Sequence, residues 1–237
     1  MGELRYDDPC GIARAMGVIG DRWAVLVVRE LLFGPRRFAQ LKAGLGGISA
    51  NVLSQRLRDL EASGVVRRSV VEIAGVTVYE LTDRGRALER VLLELGRWGS
   101  REQITSQREL SVSALMFALE TAFDPSVARD AVYLLRIDGE SWTVTVDGAT
   151  IGIRRGGEPD SDVVFDSDVT TLRALAFGRV SLSDAEAGGR LRVSGARRPA
   201  SRFGRLFPLP VSGSGDTDRL SGSRATASRA RGRTRPG

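Results

Sequence analysis

The chain has no histidine and a single cysteine, Cys10, among its 237 residues. Without imidazole there is no Ser-His-Asp triad, no HExxH zinc site and no haem-ligating histidine. One cysteine excludes an intrachain disulfide and any multi-cysteine metal site. Lysine is nearly absent too: Lys42 is the only one, so 34 of the 35 basic residues are arginine. Arginine suits phosphate and guanine better than lysine does, but a bias this uniform reads as coding composition. No run approaches the ~18 apolar residues of a membrane helix. The opening Met1-Gly2-Glu3-Leu4-Arg5 leads into no apolar signal core, and Tyr6 breaks the myristoylation pattern. The expected location is therefore cytoplasmic, with no membrane partner.

What is present is an ordinary globular composition, 42% hydrophobic, with a net charge of +6 that is unevenly spread. Residues 1–103 carry 16 basic and 13 acidic side chains, residues 104–211 carry 13 and 14, and residues 212–237 carry 6 and 2. Within the first segment, residues 29–68 hold eight basic residues against three acidic ones. A local excess of this kind suits a surface that faces phosphates. A solvated basic face is the alternative.

Apolar periodicity divides the first segment into elements. A short apolar turn or helix covers residues 13–19. Trp23, Leu26, Val27 and Leu31 then give one buried face to a helix over 21–32, which Gly34-Pro35 ends. A third helix is expected over 37–45, with Phe38 and Leu41 inward. Ser49 stands where an N-cap belongs, and the helix after it buries Leu53, Leu57 and Leu60. At 100° per residue, Asn51, Gln55 and Arg58 fall on the opposite face, flanked by Ser54 and Arg56. Gly64 is placed to cap its end. The runs 65–71 and 76–81 read as a β-hairpin turning at Ala74-Gly75. Thr82 caps a helix over 83–101 with Leu88, Val91, Leu92, Leu95 and Trp98 in its stripe. This order is that of a winged helix-turn-helix, with the Ser49 helix available to a major groove.

The residues that carry a family resemblance lie between Cys10 and Gly99. They are Gly20-Asp21-Arg22-Trp23, Arg29-Glu30-Leu31, Gly34-Pro35-Arg36-Arg37-Phe38, Ile48-Ser49, Leu53 through Glu61, Tyr79-Glu80-Leu81-Thr82-Asp83-Arg84-Gly85 and Trp98-Gly99. Together and in order they resemble the HxlR-type winged helix-turn-helix regulators. Gly11 departs from the family's usual proline after the cysteine, and Ala74-Gly75 departs from its Pro-Pro wing turn. The resemblance implies double-stranded DNA as partner, a homodimer and, for Cys10, a thiol sensor of the kind found in several members. A small buried packing residue is the other reading of Cys10.

The second segment has a different pattern. Strand-like runs over 131–137, 140–146 and 149–155 are separated by Asp138-Gly139 and Asp147-Gly148, strong hairpin signals. Val163-Val164-Phe165 and Leu191-Arg192-Val193 suggest two more strands. A helix capped by Asp168 runs to about Phe177, and another covers roughly 111–123. This is an α+β domain with its own core. Its shape and the closing stretches Gly178-Arg179-Val180-Ser181-Leu182, Gly189-Arg190-Leu191-Arg192-Val193 and Arg205-Leu206-Phe207-Pro208-Leu209-Pro210 resemble sterol-carrier-protein-like lipid-binding domains. That resemblance implies an apolar small-molecule effector; a spacer or dimerisation domain is the alternative. Residues 212–237 are too polar to offset their ordering entropy and read as a disordered tail.

The expected organisation is thus α+β overall: a winged helix-turn-helix over 1–103, a sterol-carrier-like domain over 104–211 and a tail over 212–237. Arg36, Arg37 and Lys42 are candidates for phosphate contacts. Ser49, Asn51, Ser54, Gln55 and Arg58 are candidates for the groove, and Arg67, Arg68 and Thr77 for wing contacts. Leu88, Leu92, Leu95 and Trp98 are candidates for a dimer interface. Asp160, Asp162, Asp166 and Asp168 lack the glycine and glutamate spacing of a calcium loop and read as turn and cap residues. Gly44-Leu45-Gly46-Gly47 follows a helix, so it is no dinucleotide fingerprint. No cofactor, metal or enzymatic activity is expected. A lipid carrier with an accessory winged helix is the alternative to a DNA-binding regulator.

Overall fold

The computed structural model describes residues 7–71, 75–102, 106 and 108–208. The chain opens with α1 (Gly11–Ile19), α2 (Arg22–Leu31), α3 (Phe38–Gly44) and α4 (Ala50–Ala62). The hairpin β1 (Val66–Val71) and β2 (Val76–Leu81) follows, in register Val66↔Leu81 through Val71↔Val76. Arg36 adds a short third rung: its N–H donates to the Tyr79 carbonyl at 2.9 Å, and Tyr79 N–H donates back at 2.8 Å. Side-chain caps start the helices where the sequence placed them. Asp21 accepts from Trp23 N–H at 2.8 Å, and Ser49 Oγ from Val52 N–H at 3.2 Å.

The helix expected over 83–101 is broken. It forms as α5 (Asp83–Arg86) and α6 (Glu89–Gly99), with Ala87 and Leu88 as a tight turn between. Thr82 caps α5, accepting from Gly85 N–H at 3.2 Å. Gly85 packs against the end of α4's strand connection so closely that a Cβ would stand 2.2 Å from the Val65 carbonyl oxygen. The first turn is thereby pinned to the wing base, and Ala87 and Leu88 keep right-handed helical dihedrals between the two helices.

The second half begins with α7 (Val112–Ala122). A mixed sheet follows, of order β5-β4-β3-β6-β7, from β3 (Ala131–Ile137), β4 (Glu140–Asp147), β5 (Thr150–Arg155), β6 (Val163–Ser167) and β7 (Leu191–Gly195). β3 and β6 are parallel, so the chain crosses over between them, and the other pairings are antiparallel. Asp138 (φ 50°) and Gly139 (φ 82°) form the left-handed turn that Asp-Gly favours. The helices are α8 (Val169–Ala176), α9 (Leu182–Ala187) and α10 (Arg197–Arg202); the sequence pattern had shown only α8 of these. α9 and α10 are each six residues long, too short for a periodicity to register. Tyr133, Leu135, Trp142, Val144, Val163 and Phe165 share one sheet face, and Phe203 and Phe207 close over it. Tyr133, Phe165 and Phe203 pack with centroids 5.0–6.3 Å apart.

Two cores result, but they are not insulated from each other. Phe117 of α7 joins the cluster of Val27, Leu31, Leu53, Leu57 and Leu92, and Phe33 of the first half stands edge-on to Trp142 at 5.3 Å. The seam also holds charge. Arg36 is 6% exposed and donates to Glu140 Oε1 at 2.9 Å, to Glu140 Oε2 at 3.2 Å and to Ser113 Oγ at 2.9 Å. Arg155 joins Glu140 at 3.3 Å and lies over the Trp142 ring. Burial disfavours the Glu140 charge, yet the two guanidiniums outweigh it and hold its pKa below the usual value. Glu30, 2% exposed, accepts from Arg29 and from Ser111 Oγ, both at 2.7 Å. Its carboxylate fills the space beside Gly44, where a Cβ would meet it at 2.7 Å.

Candidate nucleic-acid interface

The α4 helix presents the two faces that its spacing predicts. Leu53, Leu57 and Leu60 are at most 1% exposed and sit in the first core. Asn51, Gln55 and Arg58 are exposed on the other side, Ser49 is exposed at the cap, and Ser54 is half-buried. The outward side chains are ordered along the surface: Arg58 donates to Gln55 Oε1 at 2.7 Å, and Gln55 Nε2 donates to Asp59 Oδ1 at 2.7 Å. Both ends of the Gln55 amide are thus held by neighbours on its own helix. Val52, 40% exposed beside Asn51, was not singled out by the polar pattern. Its methyl groups are the right chemistry for a thymine methyl, and the signal was its off-stripe position.

Arg56 behaves differently from its neighbours. It pairs with Asp59 at 3.2 Å and reaches the Asp21 carboxylate, the cap of α2, at 3.8 Å. It therefore ties α4 to α2. Arg29 and Arg36 also turn inward, to Glu30 and Glu140. Arg36 is corrected on this ground: it cannot contact a phosphate while its guanidinium is buried in the seam between the two halves. Five cations of the basic stretch remain toward the outside: Arg37, Arg58, Arg67 and Arg68 are exposed, and Lys42 is half-buried. Arg37 precedes α3, where its N–H donates to Gln40 Oε1 at 2.9 Å.

On the wing, Arg67 faces Glu80 across the hairpin at 3.1 Å, and Ser69 donates to the same carboxylate at 2.9 Å. These hydrogen bonds lower the Glu80 pKa and raise that of Arg67. Arg68 and Thr77 are exposed on the strands. Ala74 lies outside the described residues, and Gly75 closes the described side of the turn at φ 60°.

The expected dimer residues divide. Leu92 is 3% exposed and belongs to the protein's own first core, and Leu88 is half-buried against it. Val91, Leu95 and Trp98 are 53%, 49% and 66% exposed along α6. Cys10 is exposed rather than a packing residue: it caps α1, its Sγ accepting from Ala13 N–H at 3.3 Å. Among the acidic residues of the sheet, Asp168 accepts from Thr171 N–H, the cap role expected of it, whereas Asp162 accepts from Val132 N–H of the neighbouring strand and Asp166 lies within β6 rather than in a turn.

Residues 18–107 match the model of the HxlR-like helix-turn-helix family. The HTH-type transcriptional regulator YvaP of Bacillus subtilis is 41% identical over 88 residues, 37% of this chain and 82% of that protein. The chain belongs to the HxlR-like helix-turn-helix family. The regulator sll1512 of Synechocystis is 40% identical over 38% of this chain and 68% of its own length. The regulator YodB of B. subtilis is 35% identical over 37% of this chain and 79% of its own. The solved reduced form of YodB is 30% identical, covering 42% of this chain and all of that chain, with a TM-score of 0.37. The HxlR-like match ends before α7, so the sheet half lies beyond it.

Proposed function

We propose that this HxlR-like protein is a sequence-specific transcription regulator that binds double-stranded DNA as a homodimer. The observation that carries this reading is the α4 surface. A capped helix, anchored by three buried leucines and by Arg56, offers an exposed row of Asn51, Gln55 and Arg58. Asn or Gln can read adenine bidentately and Arg can read guanine. Arg37 and Lys42 are phosphate contacts that set the register, and Arg68 and Thr77 are wing contacts to backbone or minor groove. The exposed Val91, Leu95 and Trp98 of α6 are the dimer surface. The relatives named above are regulators by name, which supports the same reading.

The sheet half, resembling sterol-carrier-like domains, is the module through which an apolar small molecule modulates operator binding. Cys10 is a second candidate input, as an exposed thiol. Among the described residues no helix is long and apolar enough to cross a membrane, which suits a regulator acting in the cytoplasm.

A gel shift on the DNA upstream of the protein's own coding sequence tests the reading. Retention that survives excess random DNA is expected. Arg58→Ala and Gln55→Ala should each weaken specific binding by roughly 1–3 kcal/mol and leave nonspecific binding nearly unchanged. Equal losses on both DNAs would sink the base-reading role. No specific retention, with lipid binding intact, would favour a lipid carrier.

A further inference from the structure

The two halves of the molecule meet across a cavity of about 810 Å³ that neither encloses alone. Its apolar wall comes from Trp23 and Leu26 of α2, Phe117 and Ala118 of α7 and Phe177 after α8. Its lining is rich in cations. Arg29, Arg97, Arg101, Arg108, Arg173 and Arg179 line it, against only two carboxylates, Glu102 and Glu109. A smaller chamber of about 370 Å³ shares Arg108, Arg173 and Arg179 and extends to Val169 and Thr170 at the start of α8. Cavities of this size hold drug-sized molecules, oriented by a few polar groups on a mostly apolar wall.

Among the described residues, only part of the charge around this cavity is neutralised from within. Arg97 pairs with Glu94 on its own helix, and Arg29 pairs with Glu30 while its buried Nε has no hydrogen-bond partner. Among the described residues, Arg101, Arg108, Arg173 and Arg179 form no ion pair. Arg101, Arg108 and Arg179 are exposed and Arg173 is half-buried, so water screens their mutual repulsion until a ligand displaces it, when an anion among them becomes favourable. Guanidinium forks match carboxylate, phosphate and sulfonate oxygens in particular.

We propose that this interdomain cavity binds an amphipathic organic anion. Its apolar body lies against Trp23, Leu26, Phe117 and Phe177, and its acidic head lies among Arg108, Arg173 and Arg179. Arg108 links the site to α4. A guanidinium nitrogen of Arg108 stands 3.0 Å from where a side chain would begin at Gly46 and at Gly47. That turn leads through Ile48 and Ser49 into α4, and Gly44, Leu45 and Gly46 line the same cavity. An anion that engages Arg108 therefore acts on the turn that seats α4. This coupling rests on the DNA-binding reading above; the binding of the anion does not.

Calorimetric titration of the full chain with dodecanoate, dodecyl phosphate and dodecanol, each below its micelle concentration, tests the site. Saturable binding of at least one of the two anions is expected, with dodecanol roughly ten-fold or more weaker. The preferred anion identifies the head group. Arg108→Gln with Arg173→Gln should weaken the anion by about ten-fold or more and leave dodecanol unchanged, whereas Arg173→Lys, which keeps the charge but loses the fork, should weaken it less than Arg173→Gln does. Ala118→Trp, which fills the apolar chamber, should abolish binding of every probe. Thermal melts confirm that each variant is folded. No binding of either anion, equal affinity for dodecanol, or anion binding indifferent to folded variants of both kinds would overturn the proposal. Gel shifts with and without the bound anion separate the two ideas. Anion binding that leaves operator retention unchanged removes the coupling to α4 but not the site. A chain that binds the anion yet never retains specific DNA removes the regulator reading alone.

Discussion

Arg36 shows how one residue can carry the right charge for one role and serve another. In the sequence it stands beside Arg37 in a basic stretch, and nothing local separates the two. In the structure Arg36 is a strut between halves, fully engaged by Glu140 and Ser113, while Arg37 is exposed. Removing one partner of such a buried pair leaves the other uncompensated, at a cost of about 3–5 kcal/mol. With Glu140 about one-third exposed, solvent screening sets the lower end of that range as the expectation for Arg36→Ala, measured by denaturant unfolding. Arg36→Met should be milder, and neither should change the salt dependence of DNA binding. Lys42→Ala should do the reverse: stability nearly unchanged, and the slope of log K against log salt reduced by about one unit. A flattened slope for Arg36→Met would restore Arg36 as a phosphate contact. Ser49 was legible from sequence because a cap is a local device. Arg36 was not, because its partner lies 104 positions away.

At the scale of elements, α6 packs closely on α7, where a Cβ at Gly96 would meet Phe117 and Thr121 at 3.2 Å. The apolar stripe of α6 was readable by spacing, but its two uses were not. Leu92 is buried in the first core, whereas Leu95 and Trp98, three and six positions on, are exposed. Leu92→Ala should cost about 2–5 kcal/mol of stability by cavity formation. If α6 is the proposed dimer surface, Trp98→Arg should leave the chain folded and give a monomeric mass in light scattering. A monomeric unmodified protein at micromolar concentration would refute the dimer. The same two helices enclose one carboxyl with a shifted pKa. Glu120 of α7 is raised from 4.5 to about 7 by burial, with the Glu89 carboxylate of α6 adding to the shift and Arg97 of α6 partly opposing it. A raised carboxyl pKa means that the folded protein binds the proton more tightly than the unfolded chain does. Its stabilising effect is therefore full below about pH 4.5 and is lost as pH rises to 7. Glu120→Gln should raise the melting temperature at pH 8 and change it little at pH 5. Equal shifts at both pH values would show that Glu120 is not protonated at the lower pH.

For the whole molecule, composition had assigned charge to segments; the fold reassigns it to surfaces. Arg29, Arg36 and Arg56 leave the outward basic count for internal pairs, and arginines from both halves gather at the interdomain cavity instead. The seam of Phe117, Phe33, Glu30 and Arg36 ties the halves closely enough that calorimetry should show one cooperative unfolding transition. Arg36→Ala combined with Phe117→Ala should split it into two. Two separate transitions in the unmodified protein would show that the seam is weak. The sequence by itself determined the element order, the α4 stripe with its cap, the Asp-Gly hairpins and the family motifs, because periodicity, caps and turns act over a few residues. The short α9 and α10, the break in α6's helix, the exposure of Cys10 and the fate of Arg36 were decided only by tertiary structure. Each depends on which distant surface arrives opposite, and residues that are neighbours in space but far apart in the chain leave no local signal.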